Sequence, residues 1–313
     1  MVMIILKTIG GNTETFKAPL RLIIQSDREA PSDGLEAEFI VSGSIPQLLS
    51  VRVLKDEYEL FSGEIDEQRE ITRSGITRLI IRARSIESIL LDNEAMPQTY
   101  QLPSFGLIFE RHFRQLGFSD YIADDKSYNG ELVISKGMSE WNVLSDFCTQ
   151  FSGTKPFITS DGIIDISGQN VPDEIFISRS CMLSKTKKYS RCSLISDIMT
   201  RTYPAGGYNM DVKSNKAKGL SVKRKRYLNI VGIKNTGVLS VRDMIKKRDN
   251  AYESIELLCS GTIVCRPGDI IKSEGEDSLF SAVGVQYSFI KGNETTRITA
   301  EVYQDVDQQK YEK

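Results

Sequence analysis

Hydrophobic and polar positions alternate with period two through much of the first ninety residues. In Ser50–Leu54, Val51 and Val53 flank Arg52; Asp56-Glu57 supplies a turn, and Tyr58–Phe61 runs on through Ser62-Gly63 to Glu64-Ile65-Asp66. A second hairpin turns at Ser74-Gly75, after which Leu79, Ile81 and Ala83 alternate with Ile80, Arg82 and Arg84. Alternation of this kind lays one face of an antiparallel sheet on a core and leaves the other in water. The apolar run Ile86–Leu91 predicts a short closing helix.

The period changes at Met96-Pro97. Ser104–Leu116 reads as a helix with Phe105, Ile108, Phe109, His112, Phe113 and Leu116 on one face and a Glu110/Arg114 i,i+4 pair on the other. After the polar stretch Asp124–Gly130, a second helix runs from Ser139 as N-cap to Gly153 as C′ residue. Its expected stripe is Trp141, Leu144, Phe147, Cys148 and Phe151. Pro156–Thr159 and Ile163–Ser167 flank Asp161-Gly162, a hairpin signal.

From residue 169 the pattern returns to strands. Ser240 and Asp243 resemble a capping box, and Met244, Ile245, Tyr252, Ile255 and Leu258 follow at helical spacing. A strand Thr262–Cys265 is expected to end at the turn Pro267-Gly268-Asp269. The finish is a hairpin in which Val283, Val285 and Tyr287 lead to Lys291-Gly292-Asn293, and Ile298, Ala300 and Val302 lead back. The expected class is α+β, mainly β: a first β unit over 1–95, a small α/β insert over 96–168, and a second β unit over 169–313 carrying one long helix. No sequence repeat links the outer units.

Composition narrows the function more than it names it. The 313 residues carry a formal net charge of −2, so no global basic field exists to hold nucleic acid or an anionic membrane. Five cysteines, Cys148, Cys181, Cys192, Cys259 and Cys265, form no C-x-x-C pair and suit a reducing cytosol in which thiols act as small apolar groups. The apolar run Met1–Leu6 is too short for a signal peptide, and no apolar stretch approaches the roughly 20 residues of a membrane helix. The expectation is cytoplasmic manufacture and no membrane anchor.

Chemistry is sparse. A Ser-His-Asp or Cys-His mechanism would depend on the single histidine, His112, which reads instead as a packed imidazole, and Cys148 falls on a buried stripe. Neither phosphate-loop signature occurs, nor a paired-histidine metal motif or calcium loop, and no cofactor is implied. Asp124-Asp125 reads as solvated charge rather than a glycosidase pair, and Ala205-Gly206-Gly207 as a flexible loop. One feature rises above background. Lys213, Lys216, Lys218, Lys223, Arg224, Lys225 and Arg226 occur with no acid among them, and Lys185, Lys187, Lys188 and Arg191 make a smaller cluster upstream. The plain reading is a solvated surface loop; the functional ones are contact with an acidic partner protein or with DNA. Tyr227 is the nearest aromatic, too little for a stacking platform.

Taken in order, these segments resemble a known family. Ser50–Asp66 is similar to the "two strands, turn, then Phe-x-Gly-x-Ile/Val-Asp" signature near the start of baseplate hub proteins of contractile phage tails, of the late-control-D type and its Gram-positive prophage relatives. Ile80–Asp92 looks like their next segment, Ser139–Cys148 like their "Ser-x-Trp-x-Val-Leu" helix, and Phe157–Ile166 like their hairpin. A helix Val241–Leu258, Pro267-Gly268-Asp269 and the closing hairpin keep the family order. Lys185–Gly237 has no counterpart, so the basic segment inherits no role. The resemblance implies two tail-tube-like β-barrel units in one chain. Three copies would then present six barrels and match a trimeric spike to a hexameric tube, with tube, spike and other baseplate proteins as partners and no catalysis. No appended lysozyme or spike domain is expected. The particle could be a phage, a defective prophage or a phage-tail bacteriocin; the nearest rival is the spike base of a secretion-type injection machine.

Overall fold

The computed structural model describes every residue except 1, 18, 125, 170, 202–205, 209, 230–236 and 304–313, and leaves the side chains of 210, 229 and 237–240 undescribed. Asp125 and Ala205, and with them parts of the acidic pair and of the Gly-Gly loop, lie outside the described residues. The chain forms two compact units. One comprises 1–171, 261–264 and 285–296; the other comprises 172–260, 265–284 and 297–313.

The first unit begins with seven strands: β1 (Val2–Thr8), β2 (Thr13–Phe16), β3 (Arg21–Asp27), β4 (Gly34–Val41), β5 (Leu48–Lys55), β6 (Tyr58–Arg73) and β7 (Ile76–Ser85), then helix α1 (Ser88–Asp92). The strands lie in the order β3-β4-β7-β6-β5-β1-β2. Expected alternation is met: Val51 and Val53, and Leu79, Ile81 and Ala83, are buried while Arg52 and Arg82 are exposed. The sheet curls strongly. On a flat sheet β2 and β4, five places apart, would be about 24 Å from each other, yet the Phe16 and Phe39 rings stand 4.7 Å apart. The inner face thus curls around an apolar core that includes Phe39 and Phe61.

The same unit carries β8 (Gln98–Gln101), α2 (Phe105–Ile108), β9 (Asp120–Ile122), β10 (Glu131–Ile134), α3 (Glu140–Phe147), β11 (Phe157–Ile158) and β12 (Ile163–Asp165). The helix expected over Ser104–Leu116 is present but irregular. It passes from α2 into a π-turn at Phe109–Phe113 and a 3-10 turn at Arg114–Leu116. Ser139 and Asn142 make a reciprocal capping box, and α3 likewise ends in a π-turn, Cys148–Ser152, before left-handed Gly153. Phe105, Phe109, Phe113 and Phe147 fill the core these helices share with β8 and β10.

The second unit contains β13 (Glu174–Ile177), β14 (Met182–Tyr189), β15 (Asp197–Arg201), β16 (Met210–Lys213), α4 (Asn215–Gly219), β17 (Lys225–Asn229), α5 (Gly237–Asn250), β18 (Glu253–Ser260) and β19 (Ile270–Ser273). The closing hairpin of β20 (Phe280–Ile290) and β21 (Asn293–Val302) turns at Lys291-Gly292 as expected, and gives residues 285–296 to the first unit. Three expectations are corrected. Ser240 does not begin the long helix, which starts at Gly237, and that helix does not reach Leu258. Ile255, Leu257 and Cys259 are buried at period two in β18, where pairing with β14 overrides the three-residue spacing of Tyr252, Ile255 and Leu258. Thr262–Cys265 is irregular rather than a strand: Ile263 N donates to the Thr296 hydroxyl (2.9 Å) instead of joining a ladder. By strand content the fold is mainly β, within the α+β class.

Candidate functional site

Three polar constellations stand out, each for a different reason. The first explains the Phe-x-Gly-x-Ile-Asp run. Phe61 is buried, and Gly63 faces Ser85 across the β6–β7 pair so closely that a Cβ would lie 2.1 Å from the Arg84 carbonyl oxygen. Only glycine fits there. The register then slips between Ile65 and Glu67, and the bulge residue, Asp66, takes two hydrogen bonds from Arg84 (2.7 and 2.9 Å). The same guanidinium reaches Asp92 at the end of α1 (2.7 Å), whose carboxyl it holds below the usual range. One arginine therefore joins bulge, strand and helix.

The second constellation is buried in the insert-like part of the first unit. His112 lies on the π-turn, 1% exposed; its Nδ1 is 2.8 Å from Glu140 and its Nε2 is 2.9 Å from the Tyr100 hydroxyl. Nδ1 is placed to donate to the Glu140 carboxylate, and Nε2 shares a hydrogen bond with the Tyr100 hydroxyl. Both nitrogens are engaged, so the ring ties β8, the π-turn and the first turn of α3 together. Removing one member would leave a buried polar partner unsatisfied, at a cost of about 1–3 kcal/mol. The expected packed imidazole is observed; Glu140 as its partner was missed, because nothing local distinguishes it from an ordinary first-turn acid. Burial pushes the Cys148 thiol up to about 12, the opposite of an activated nucleophile. Among the described residues no group of three or more His, Cys, Asp or Glu side chains could hold a metal ion, and no helix is long and apolar enough to cross a membrane.

The third is the basic segment, which is folded rather than a loop. Lys213 lies on β16 and pairs with Asp211 (3.0 Å). Lys216 donates to the Asp249 carbonyl (2.9 Å) and sits over the Tyr252 ring. Arg224 is structural: its Nη1 donates to the carbonyl oxygens of Cys192 (2.5 Å), Leu194 (2.8 Å) and Arg191 (3.3 Å). Lys225 and Arg226 lie on β17, parallel to β15; Lys218 lies on α4, and Lys223 just precedes β17. Ile195, Ile198, Val241 and Ile245 form the core between this small sheet and α5, with Val212 and Leu228 packed against it. Of the upstream cluster, Lys185 and Lys187 on β14 both pair with Glu276, whereas Lys188 and Arg191 are exposed beside the Arg224 clasp.

This architecture is the fold of phage tail proteins. A tail protein from Neisseria meningitidis MC58 superposes with a TM-score of 0.76 at 14% identity, over 96% of each chain. The 43 kDa tail protein of prophage MuSo2 from Shewanella oneidensis gives 0.77 at 12% identity, over 95% of this chain and 98% of that one. A component of the type VI secretion system of E. coli, described as similar to the bacteriophage T4 tail proteins gp27 and gp5, gives 0.60 at 11%, over 92% and 74%. No protein-family model matches the sequence, and no curated protein matches it significantly.

Proposed function

We propose that this chain is the structural hub of a contractile tail baseplate, matching a trimeric spike to a hexameric tube as a homotrimer and performing no catalysis. The observation that carries the reading is end-to-end correspondence: 95–96% of this chain aligns with 96–98% of two tail proteins, leaving little beyond the shared fold. The polar groups support it. Arg84 and His112 are committed to holding elements together, and Cys148 is raised away from reactivity. Residence in an assembled phage or phage-tail-like particle follows from the same reading. The test is to sediment particles from a producing culture that expresses a tagged chain. Tag in the particle fraction, at a fixed ratio to tube protein, supports the hub; tag confined to the soluble fraction refutes it.

A second reading, the spike base of a secretion-type injection machine, is favoured by the superposition on the E. coli secretion component. It differs in partners rather than in mechanism, and the proteins that co-sediment with the tag separate the two.

A further inference from the structure

The fold brings together two basic segments that are distant in sequence. Arg191 Nη2 donates to the Leu220 carbonyl (2.7 Å), and Arg224 returns the contact through the carbonyls of 191, 192 and 194. Residues 188–196 and 212–229 hold nine of the chain's 40 basic residues and none of its 42 acidic ones, which leaves 31 basic against 42 acidic elsewhere. An otherwise acidic protein thus concentrates positive charge in one place. Three acids lie close by: Asp211 pairs with Lys213, Asp197 stands in register with Lys213 and Lys225 and accepts from the Ser196 hydroxyl (2.7 Å), and Asp249 accepts from Ser214 (2.8 Å); set against the nine basic residues they leave a clear positive surplus. Cys192, in the midst of this surface, reports the field. Its thiol is held below the usual range, first by a hydrogen bond with Ser190 and further by the charges of Arg224 and Lys188.

We propose that Lys188, Arg191, Lys218, Lys223, Lys225 and Arg226, all exposed, form a docking surface for the phosphate backbone of duplex DNA. Four of the six are lysines, point charges that suit phosphate and are depleted in protein–protein interfaces, which favour aromatic anchors. The neighbouring aromatics sit in pairs, Tyr189 with Tyr252 (5.6 Å) and Tyr227 with Tyr208 (5.2 Å), rather than as an interleaved row on which successive bases could stack. The recognition is therefore of backbone charge and independent of sequence.

The test uses the full chain and a fluorescein-labelled mixed-sequence duplex of roughly 30 base pairs, followed by anisotropy across about 50–200 mM salt. Affinity is expected to fall at least roughly tenfold over that range. The variant K188E/K218E/K223E/K225E should lose roughly tenfold or more at fixed salt, far more than K7E/K17E/K136E/K272E, which changes net charge equally at exposed sites elsewhere. Melting curves check folding, and K218E/K223E serves if the fourfold variant does not fold. Absence of binding at low salt, equal losses in both charge-matched variants, or full displacement of the duplex by polyglutamate at matched charge would each overturn the proposal, the last by assigning the surface to an acidic protein.

Discussion

The outward polar face of the first unit and the basic segment of the second treat charge in opposite ways. On β3, β4, β7 and β6 the charges answer one another across strands: Arg21 with Glu36 (2.6 Å), Arg82 with Glu36 and Glu67 (both 3.3 Å), Arg78 with Glu38 (3.0 Å) and Arg84 with Asp66 (2.7 Å). In the second unit no acid interrupts residues 212–229, and the arginine at its centre is satisfied by backbone carbonyls instead. Carbonyl oxygens orient a guanidinium without cancelling its charge. The named charges of the first face balance pair by pair, whereas the second keeps a positive surplus after folding. Cross-strand ion pairs at this exposure each add little stability, about 0–1 kcal/mol. Their value lies in register and in suppressing unwanted charge-driven association.

The contrast is broken most severely at Gly63. Gly63→Ala drives a methyl group into the Arg84 carbonyl, and a loss of about 3 kcal/mol or more is expected; Gly34→Ala, with open space around its Cβ position, should be nearly neutral in the same denaturant titration. In the second unit Arg224→Ala removes a charged donor from three carbonyls. It should cost about 2–3 kcal/mol and increase hydrogen exchange at 190–196 and 220–226, whereas Lys223→Ala next to it stays within about 0.5 kcal/mol. Arg84→Ala breaks the link from bulge to α1 but leaves exposed partners, so about 1 kcal/mol is expected, and less in high salt.

A smaller effect sharpens the comparison through pH. Glu87, beside the paired face, has a buried oxygen without a partner, and burial raises its carboxyl above the usual range. A raised folded value means that the protonated acid's contribution is intact below the unfolded value near 4.5 and is lost as pH rises through the folded one. Glu87→Gln should therefore gain on the wild type between pH 4 and pH 7, by a melting shift of about 2–4 °C at most. An identical shift at both pH values would remove this account of Glu87.

Much of the first unit was legible because its signals are local. Alternation at 50–54 and 79–84, the turns at Asp56-Glu57 and Ser74-Gly75, and the Ser139 cap each depend on a few neighbouring residues. The misread helix shows where local pattern fails: Tyr252, Ile255 and Leu258 suit a helix, and only pairing with β14, some seventy residues away, selects a strand. The π-turns were invisible for the same reason; they rotate Phe113 and Phe151 toward a core assembled from elsewhere. Of the site, the basic residues were evident from composition, but Arg224 as a clasp and Glu140 as the partner of His112 arise from long-range contacts that no short window contains.

The most direct test of the central claim is stoichiometry. Light scattering coupled to size exclusion, on the chain alone and then with the neighbouring tail proteins, should give in at least one sample a discrete species containing three copies of the 35.2 kDa chain. A chain that stays monomeric beside every tube, spike and baseplate partner would contradict the trimeric hub.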